Sequence, residues 1–165
     1  MTLPPFQHLV DAHWRDVARL AHALAGPNLG DDVAQQAWTQ ALAAYPSVRR
    51  ATNLRGWLLT ITRHCAMDAH RAAARTTPTD PTGPAEPPHQ PTRQPTHPPP
   101  DDPRPDLWAA VATLPERQRA AVALKYVTDL DHRAIAAVLG TTPAMSRRLV
   151  SDALATLRLT LPEQS

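Results

Sequence analysis

The sequence is short of cysteine and glycine. Cys65 is the only cysteine, so no internal disulfide can form, and we expect a reducing, cytoplasmic environment. Only five glycines occur, and none of them forms a glycine-rich phosphate loop. No nucleophile lies in a recognisable catalytic setting and no carboxylates cluster. We therefore do not expect an enzyme.

Long apolar runs are also missing. No stretch approaches the roughly 20 apolar residues that a membrane-spanning helix needs, and the N-terminus does not resemble a signal peptide. The eight histidines show no metal-ligand spacing with the lone cysteine. We expect no membrane insertion, no metal and no cofactor.

Lysine is nearly absent, because Lys125 is the only one and arginine carries the remaining basic charge. The net charge is only +2, so no global field dominates. Arginine binds phosphates and guanine edges in bidentate fashion, which favours an anionic partner. A GC-rich coding bias explains the same composition.

Apolar residues recur every three or four positions through the first 76 residues. This spacing predicts a helix over about 5–25, ended by Gly26-Pro27, a second over about 30–45 and a third over about 53–74. Short connections between three helices are typical of a compact helical unit.

The aromatic and basic side chains of this part divide between the predicted faces. Three tryptophans follow the apolar stripes and are predicted to be core, as is Trp108 further on: Trp14, Trp38 and Trp57. The other side of the third helix is predicted to expose Arg55, Arg63, His64, Arg71 and Arg75. Alone, such a basic set is typical of a solvated face.

Proline then dominates, with twelve prolines among residues 78–105 and few apolar residues. Such a segment buries too little surface to offset its ordering entropy, so we predict an extended, disordered linker over 77–105.

Helical spacing resumes at Asp106 and ends in a helix, a glycine turn and a second helix. The first helix contains Ile135 and Leu139, Gly140 permits the turn, and the second helix carries Arg147 and Arg148. This layout is that of a helix-turn-helix, whose second helix enters the DNA major groove.

Three stretches together resemble the extracytoplasmic-function (ECF) sigma factors, the small two-domain specificity subunits of bacterial RNA polymerase. They are Asp31-Asp32-Val33-Ala34-Gln35-Gln36-Ala37-Trp38, the run from Leu54 to Arg63 with Asp68 and Arg71 behind it, and Leu114-Pro115-Glu116-Arg117-Gln118-Arg119. The resemblance implies an all-α fold of two small helical domains. Residues 1–76 would form a region 2-like domain, 77–105 a linker and 106–165 a region 4-like helix-turn-helix domain.

The resemblance also implies a role for each part of the chain. The implied partners are bacterial core RNA polymerase and promoter DNA. The polymerase-binding residues would be Asp31, Asp32, Gln35 and Gln36. The −10 element would be contacted by Arg49, Arg50, Asn53, Arg63, His64 and Arg71. The −35 element would be read by Thr142, Arg147, Arg148 and Ser151.

The sequence departs from the family pattern at several positions. His64 replaces an asparagine, which affects the expected −10 preference. Met145-Ser146 stands where the family has Thr-Val, which places a hydroxyl at a normally buried apolar position. A buried hydroxyl without a partner costs roughly 1–3 kcal/mol. Asp152 replaces an arginine and would repel phosphate.

Two other functions fit the same residues. One is a helix-turn-helix regulator that acts without polymerase, and the other is a degenerate sigma-like protein held by an anti-sigma partner. An anti-sigma factor is also a possible partner of a working sigma factor. We expect the free chain to be monomeric.

Overall fold

The computed structural model describes residues 3–49, 51–76 and 105–161 and is all-α over these ranges. Two 3₁₀ turns, Tyr45–Ser47 and Ala51–Asn53, connect the first two helices. The six helices are α1 (Phe6–Ala44), α2 (Leu54–Thr76), α3 (Pro105–Ala112), α4 (Glu116–Tyr126), α5 (His132–Leu139) and α6 (Pro143–Thr160). The predicted all-α class is confirmed. The predicted linker, except Pro105, lies outside the described residues, as does Arg50.

Helix α1 is broken at Gly26, whose φ of 82° and ψ of 175° are not helical. Glycine adopts this positive φ without a steric penalty. Pro27 follows as the first residue of the second half, where a missing N–H costs nothing. The predicted break is therefore confirmed. The second half begins at Pro27 rather than near Gly30, because proline suits a first helical turn.

A side-chain contact fastens the two halves of α1 across this break. His22 Nε2 lies 2.9 Å from Asp31 Oδ1. Gly30 is buried beneath the imidazole, and a Cβ added there would lie 2.3 Å from His22 Nδ1. The close approach of the ring to the backbone therefore requires glycine.

The predicted helix-turn-helix is present, and the caps of its two helices explain its bounds. Asp131 Oδ1 accepts a hydrogen bond of 2.8 Å from Ala134 N at the start of α5. Gly140 ends that helix with a left-handed φ of 64°. Thr142 Oγ1 then caps α6 by accepting from Met145 N at 3.1 Å. Each cap satisfies an N–H that the first helical turn leaves unpaired.

One cluster of buried apolar side chains runs from α1 and α2 into α4 and α5. Leu20, Leu58, Leu124 and Ile135 are each 0–1% exposed and belong to it. A second, smaller cluster joins α3, α4 and α6 through Val111, Ala153 and Leu157 among others. The part before the proline-rich segment and the part after it therefore share apolar packing as well as polar contacts.

Some predicted burials hold and others do not. Cys65 is buried, and burial raises the pKa of its thiol, which keeps the thiol neutral. Trp14 was predicted as core but is 51% exposed, because it lies at the edge of the apolar stripe of α1; the Arg15 guanidinium lies 5.3 Å from its ring centroid. Trp38 and Trp57 pack against the core as predicted.

Replacing Gly30 with alanine should lower the free energy of unfolding by about 1–3 kcal/mol, because the new Cβ collides with the His22 ring. Chemical denaturation of the full chain measures this. In a His22→Ala background the same change should be neutral or stabilising, because only the helix propensity of alanine then acts. A loss of equal size in both backgrounds would show that the contact does not govern Gly30.

Candidate nucleic-acid interface

The exposed face of α6 carries the residues expected at a major groove. Arg147, Arg148 and Ser151 are all exposed within the first half of the helix. Arg148 Nε lies 3.9 Å from Asp152 Oδ2, so this carboxylate faces an arginine one turn away. The fourth expected −35 residue, Thr142, is exposed and uses its hydroxyl to cap the helix.

The buried hydroxyl of the same helix has a partner that the sequence did not reveal. Ser146 is 0% exposed, as its position in the family pattern implies. Its Oγ lies 3.0 Å from His132 Nδ1 in the first turn of α5. The expected cost of an unpaired hydroxyl therefore does not arise.

Most residues expected at the −10 element lie in the connection before α2 or on the outer face of that helix. Arg49, His64 and Arg71 are exposed, and Arg71 Nη1 lies 3.6 Å from Asp68 Oδ1. Asn53 is exposed but acts as a helix cap, because its Oδ1 accepts from Gly56 N at 3.0 Å.

Arg63 corrects the expected face of α2. It was predicted to be exposed for DNA, yet it is only 8% exposed. Its Nε donates to Glu116 Oε1 and its Nη2 to Glu116 Oε2, both at 3.0 Å. Two parallel hydrogen bonds of this kind are the strongest arginine–carboxylate geometry. The guanidinium thus faces α4 and not solvent.

Two further arginines make polar contacts between the same parts of the chain. Arg55, also expected to be exposed, donates from Nε to Asp16 Oδ2 at 2.9 Å and from Nη2 to the Thr128 carbonyl. From the other side, Arg119 Nη1 lies 3.4 Å from the Leu24 carbonyl. We define the Arg63–Glu116, Arg55–Thr128 and Arg119–Leu24 contacts as the arginine boundary.

The residues expected to bind polymerase lie on the second half of α1. All four are exposed: Asp31, Asp32, Gln35 and Gln36. The two glutamines lie about one turn after the two aspartates, so the four side chains share one face of the helix. Asp31 also holds His22, so it has a structural task at the break in α1.

Two other properties of the described residues bear on function. Within residues 3–49, 51–76 and 105–161, no three histidine, cysteine or acidic side chains are grouped to hold a metal ion. Across the same ranges, no helix is long and apolar enough to span a membrane.

Glu116 and His132, the partners of the buried Arg63 and Ser146, were not predicted from the sequence. Glu116 was read only as part of a motif, although its place in the first turn of α4 is a usual one for an acidic residue. His132 was read only as a residue without metal spacing. Glu116 lies 53 residues from Arg63, so the sequence carries no local signal for that pair. Asp131 is a local signal, because it caps α5 and so places His132 in the first turn of that helix.

Comparison with known proteins agrees with this geometry. The Sigma-70 region 2 family matches residues 9–76, and Sigma-70 region 4 matches residues 104–157. Several solved structures share the fold, among them the three that follow. The sigma factor RpoE of Bartonella quintana, in complex with the anti-sigma factor NepR, has a TM-score of 0.72 at 21% identity, over 94% of this chain and 95% of that chain.

The other two are more distant. CnrH, in complex with the cytosolic domain of CnrY, has a TM-score of 0.63 at 20% identity, over 93% of this chain and 85% of that chain. The PhyRSL–NepR complex from Sphingomonas sp. Fr1 has a TM-score of 0.62 at 17% identity, over 98% of this chain and 96% of that chain.

The two family matches, in this order along the chain, define a DNA-binding subunit of the transcription machinery, and the chain belongs to the sigma-70 family. It is an ECF-type sigma factor, a non-enzymatic protein that directs transcription initiation. Its domains imply RNA polymerase and promoter DNA as partners.

Glu116→Gln should loosen the arginine boundary, because it removes the charge that compensates the buried Arg63 guanidinium. Glu116 is partly exposed, so we expect only about a three- to tenfold shift towards separated segments. Spin labels on cysteines replacing the exposed Gln40 and Thr156 would report a broader and longer distance distribution. Asp129→Asn, which neutralises an exposed carboxylate at a left-handed position, should leave the distribution unchanged. Identical distributions for wild type and Glu116→Gln would contradict the role of this pair.

Proposed function

We propose that this sigma factor reads the −35 element through α6, with Arg147 and Arg148 in the major groove. The observation that carries this proposal is their exposure on the second helix of a capped helix-turn-helix. An arginine that binds a guanine in bidentate fashion supplies about 1–3 kcal/mol of discrimination between bases. Ser151 lies one turn further along the same helix and would contact the adjoining backbone.

The −10 element is assigned to the connection before α2 and to the outer face of that helix. Arg49, His64 and Arg71 supply exposed cationic or ring surfaces of the kind that captures unstacked bases and backbone phosphates. Arg50 lies outside the described residues and stays in this set on the resemblance alone. The second half of α1, with Asp32, would dock on the core polymerase.

Arg63 belongs to the −10 set only when the two segments separate. In the arrangement described, the Nε–Nη2 edge of its guanidinium is occupied by Glu116 and its side chain is 10% exposed. A guanidinium in that position has little surface to offer DNA. Promoter binding would therefore require the arginine boundary to open, which polymerase docking on α1 would have to drive or stabilise.

An inhibitory protein partner is the further part of this proposal. RpoE and CnrH are each described in complex with a partner protein, and the partner of RpoE is an anti-sigma factor. The chain aligns with that RpoE over both of its segments at once. We infer that a protein of this kind binds the present chain while its arginine boundary is intact. Arg63 then stays paired with Glu116 and cannot contact DNA.

Run-off transcription with purified core polymerase tests the proposed function. Promoter-dependent transcripts are expected. Duplex binding without polymerase would instead favour a separate helix-turn-helix regulator. If neither occurs while the chain binds an inhibitor protein tightly, the degenerate sigma-like alternative is correct.

Arg147→Ala should reduce transcription from a promoter that depends on its −35 element by about tenfold, because one bidentate base contact is lost. Transcript yield from matched promoters with intact and scrambled −35 elements measures the effect. Arg158→Ala, at the exposed end of the same helix, is the matched control and should change little. Weaker binding of Arg147→Ala to the core enzyme itself would contradict the assignment.

Asp32→Lys should weaken binding to the core enzyme by about tenfold, because it reverses a charge on the proposed docking face. Fluorescence anisotropy with labelled chain gives the affinity directly. Asp11→Lys makes the same reversal on the exposed first half of α1 and serves as the control. Equal affinities for the two variants would remove this face from the polymerase interface.

A further inference from the structure

A hydrogen bond joins α5 to α6. The core holds α5 in place, and α6 carries the DNA-facing arginines. Ile135 of α5 is 0% exposed, and Ala136 and Leu139 are also buried, so this helix is held by the core. The N-cap at Asp131 fixes its first turn, where His132 lies. The His132 ring therefore projects from a backbone that has little freedom to move.

Ser146 occupies the corresponding inward position on α6. It is fully buried, whereas the next two residues, Arg147 and Arg148, are exposed. Successive residues on a helix are rotated by a fixed angle, so the direction of the inward residue sets the direction of its two neighbours. A small rotation or shift at Ser146 would carry both arginines with it.

We propose that His132 is the positioning residue of the DNA-reading helix, and that its Nδ1 bond to the buried Ser146 hydroxyl fixes Arg147 and Arg148 in register with the major groove. The DNA part of this statement rests on the proposed function of α6. The bond itself does not, because it is a property of the free chain.

Partial burial and the neighbouring charges together favour the neutral ring, which is the form that this bond needs. Burial, then Lys125 of α4 and Arg147 of α6, lower the pKa of His132, and Asp131 at its own N-cap opposes them. A neutral ring can accept the Ser146 hydroxyl hydrogen at Nδ1. A protonated ring would instead donate there, which would leave that buried hydroxyl hydrogen without this acceptor.

This pairing has a pH signature. Because the folded-state pKa is lowered, the contribution of the neutral ring to stability is complete above the ordinary value of about 6.5. It is lost as the pH falls from there through the lowered folded-state value. The protonated ring could still donate to the Ser146 oxygen, but the hydroxyl hydrogen would then lose this acceptor, so the hydroxyl favours the neutral ring and Ser146→Ala should raise the pKa of His132.

Two substitutions of His132 distinguish the effect of the hydrogen bond from the effect of the ring's packing. His132→Asn keeps a hydrogen-bond acceptor near the position of Nδ1 and removes the ring. His132→Phe keeps a ring and removes the acceptor. If the bond positions α6, Asn should retain most of the −35 dependence of transcription, and Phe should lose about three- to tenfold, the range expected for one hydrogen bond. The reverse order would show that packing alone acts and would overturn the proposal.

Nuclear magnetic resonance on the full-length free chain decides the same point without DNA. The backbone amide signals of Arg147 and Arg148 should shift in His132→Phe and stay near wild type in His132→Asn. The imidazole signal that both variants lack identifies His132, and its titration midpoint should lie below 6.5 in wild type and rise in Ser146→Ala. Unmoved amides in Phe, or an unchanged midpoint in Ser146→Ala, would refute the bond.

The two readouts also separate failure of this inference from failure of the proposed function. If wild-type holoenzyme shows no −35 dependence, the role assigned to α6 is wrong, while the amide shifts still decide whether His132 positions the helix. If −35 dependence is present but Phe and Asn behave alike in both assays, the function stands and the positioning role of His132 is refuted.

Discussion

The pairing of Arg63 with Glu116 is the constraint on which the described arrangement depends. A guanidinium that is 8% exposed at the residue level cannot be left without a counter-charge, because burying an unpaired ion costs several kcal/mol. Glu116 supplies that charge from the first turn of α4, where the helix also favours an acid. The ion pair therefore favours one docking of the second part of the chain against the first, which otherwise pack through α1 with α4 and through α2 with α5.

Because of the same ion pair, the two proposed DNA surfaces differ in how accessible they are. The α6 surface is open in the described arrangement, since its arginines face solvent. The −10 surface is only partly open, because Arg63 is turned inward while His64 beside it is exposed. A chain in this state could present its −35 reader without a complete −10 reader. Opening the arginine boundary would complete the −10 surface. The stability of that boundary would therefore set how readily the free chain binds a promoter by itself.

The sequence was sufficient for the helices and insufficient for the contacts between them. Apolar spacing and the Gly26-Pro27 and Gly140 signals predicted the break in α1 and the turn before α6, because these features are local. The exposure of Arg63 was predicted wrongly, because helical spacing identifies a polar face but not whether another segment covers it. The burial of Trp14 was also predicted wrongly, for a related reason. A residue at the edge of an apolar stripe is buried only where another helix packs against it. Ser146 was placed inside correctly, yet its partner lies on a different helix.

The Arg63–Glu116 and Ser146–His132 pairs, neither of which was predicted, share one physical feature. In each, a group that is costly to bury finds a partner on another helix, Arg63 on α4 and Ser146 on α5. Apolar side chains tolerate small slips between helices because their attraction has little direction, whereas these pairs are favourable only over a narrow range of distances and angles. The apolar clusters therefore bring the helices together, and the polar pairs fix which of the neighbouring dockings is adopted. The two pairs differ in access, because Ser146 is fully buried and the Glu116 side chain is not, so water or a competing group can reach the Arg63–Glu116 pair more readily than the Ser146–His132 bond.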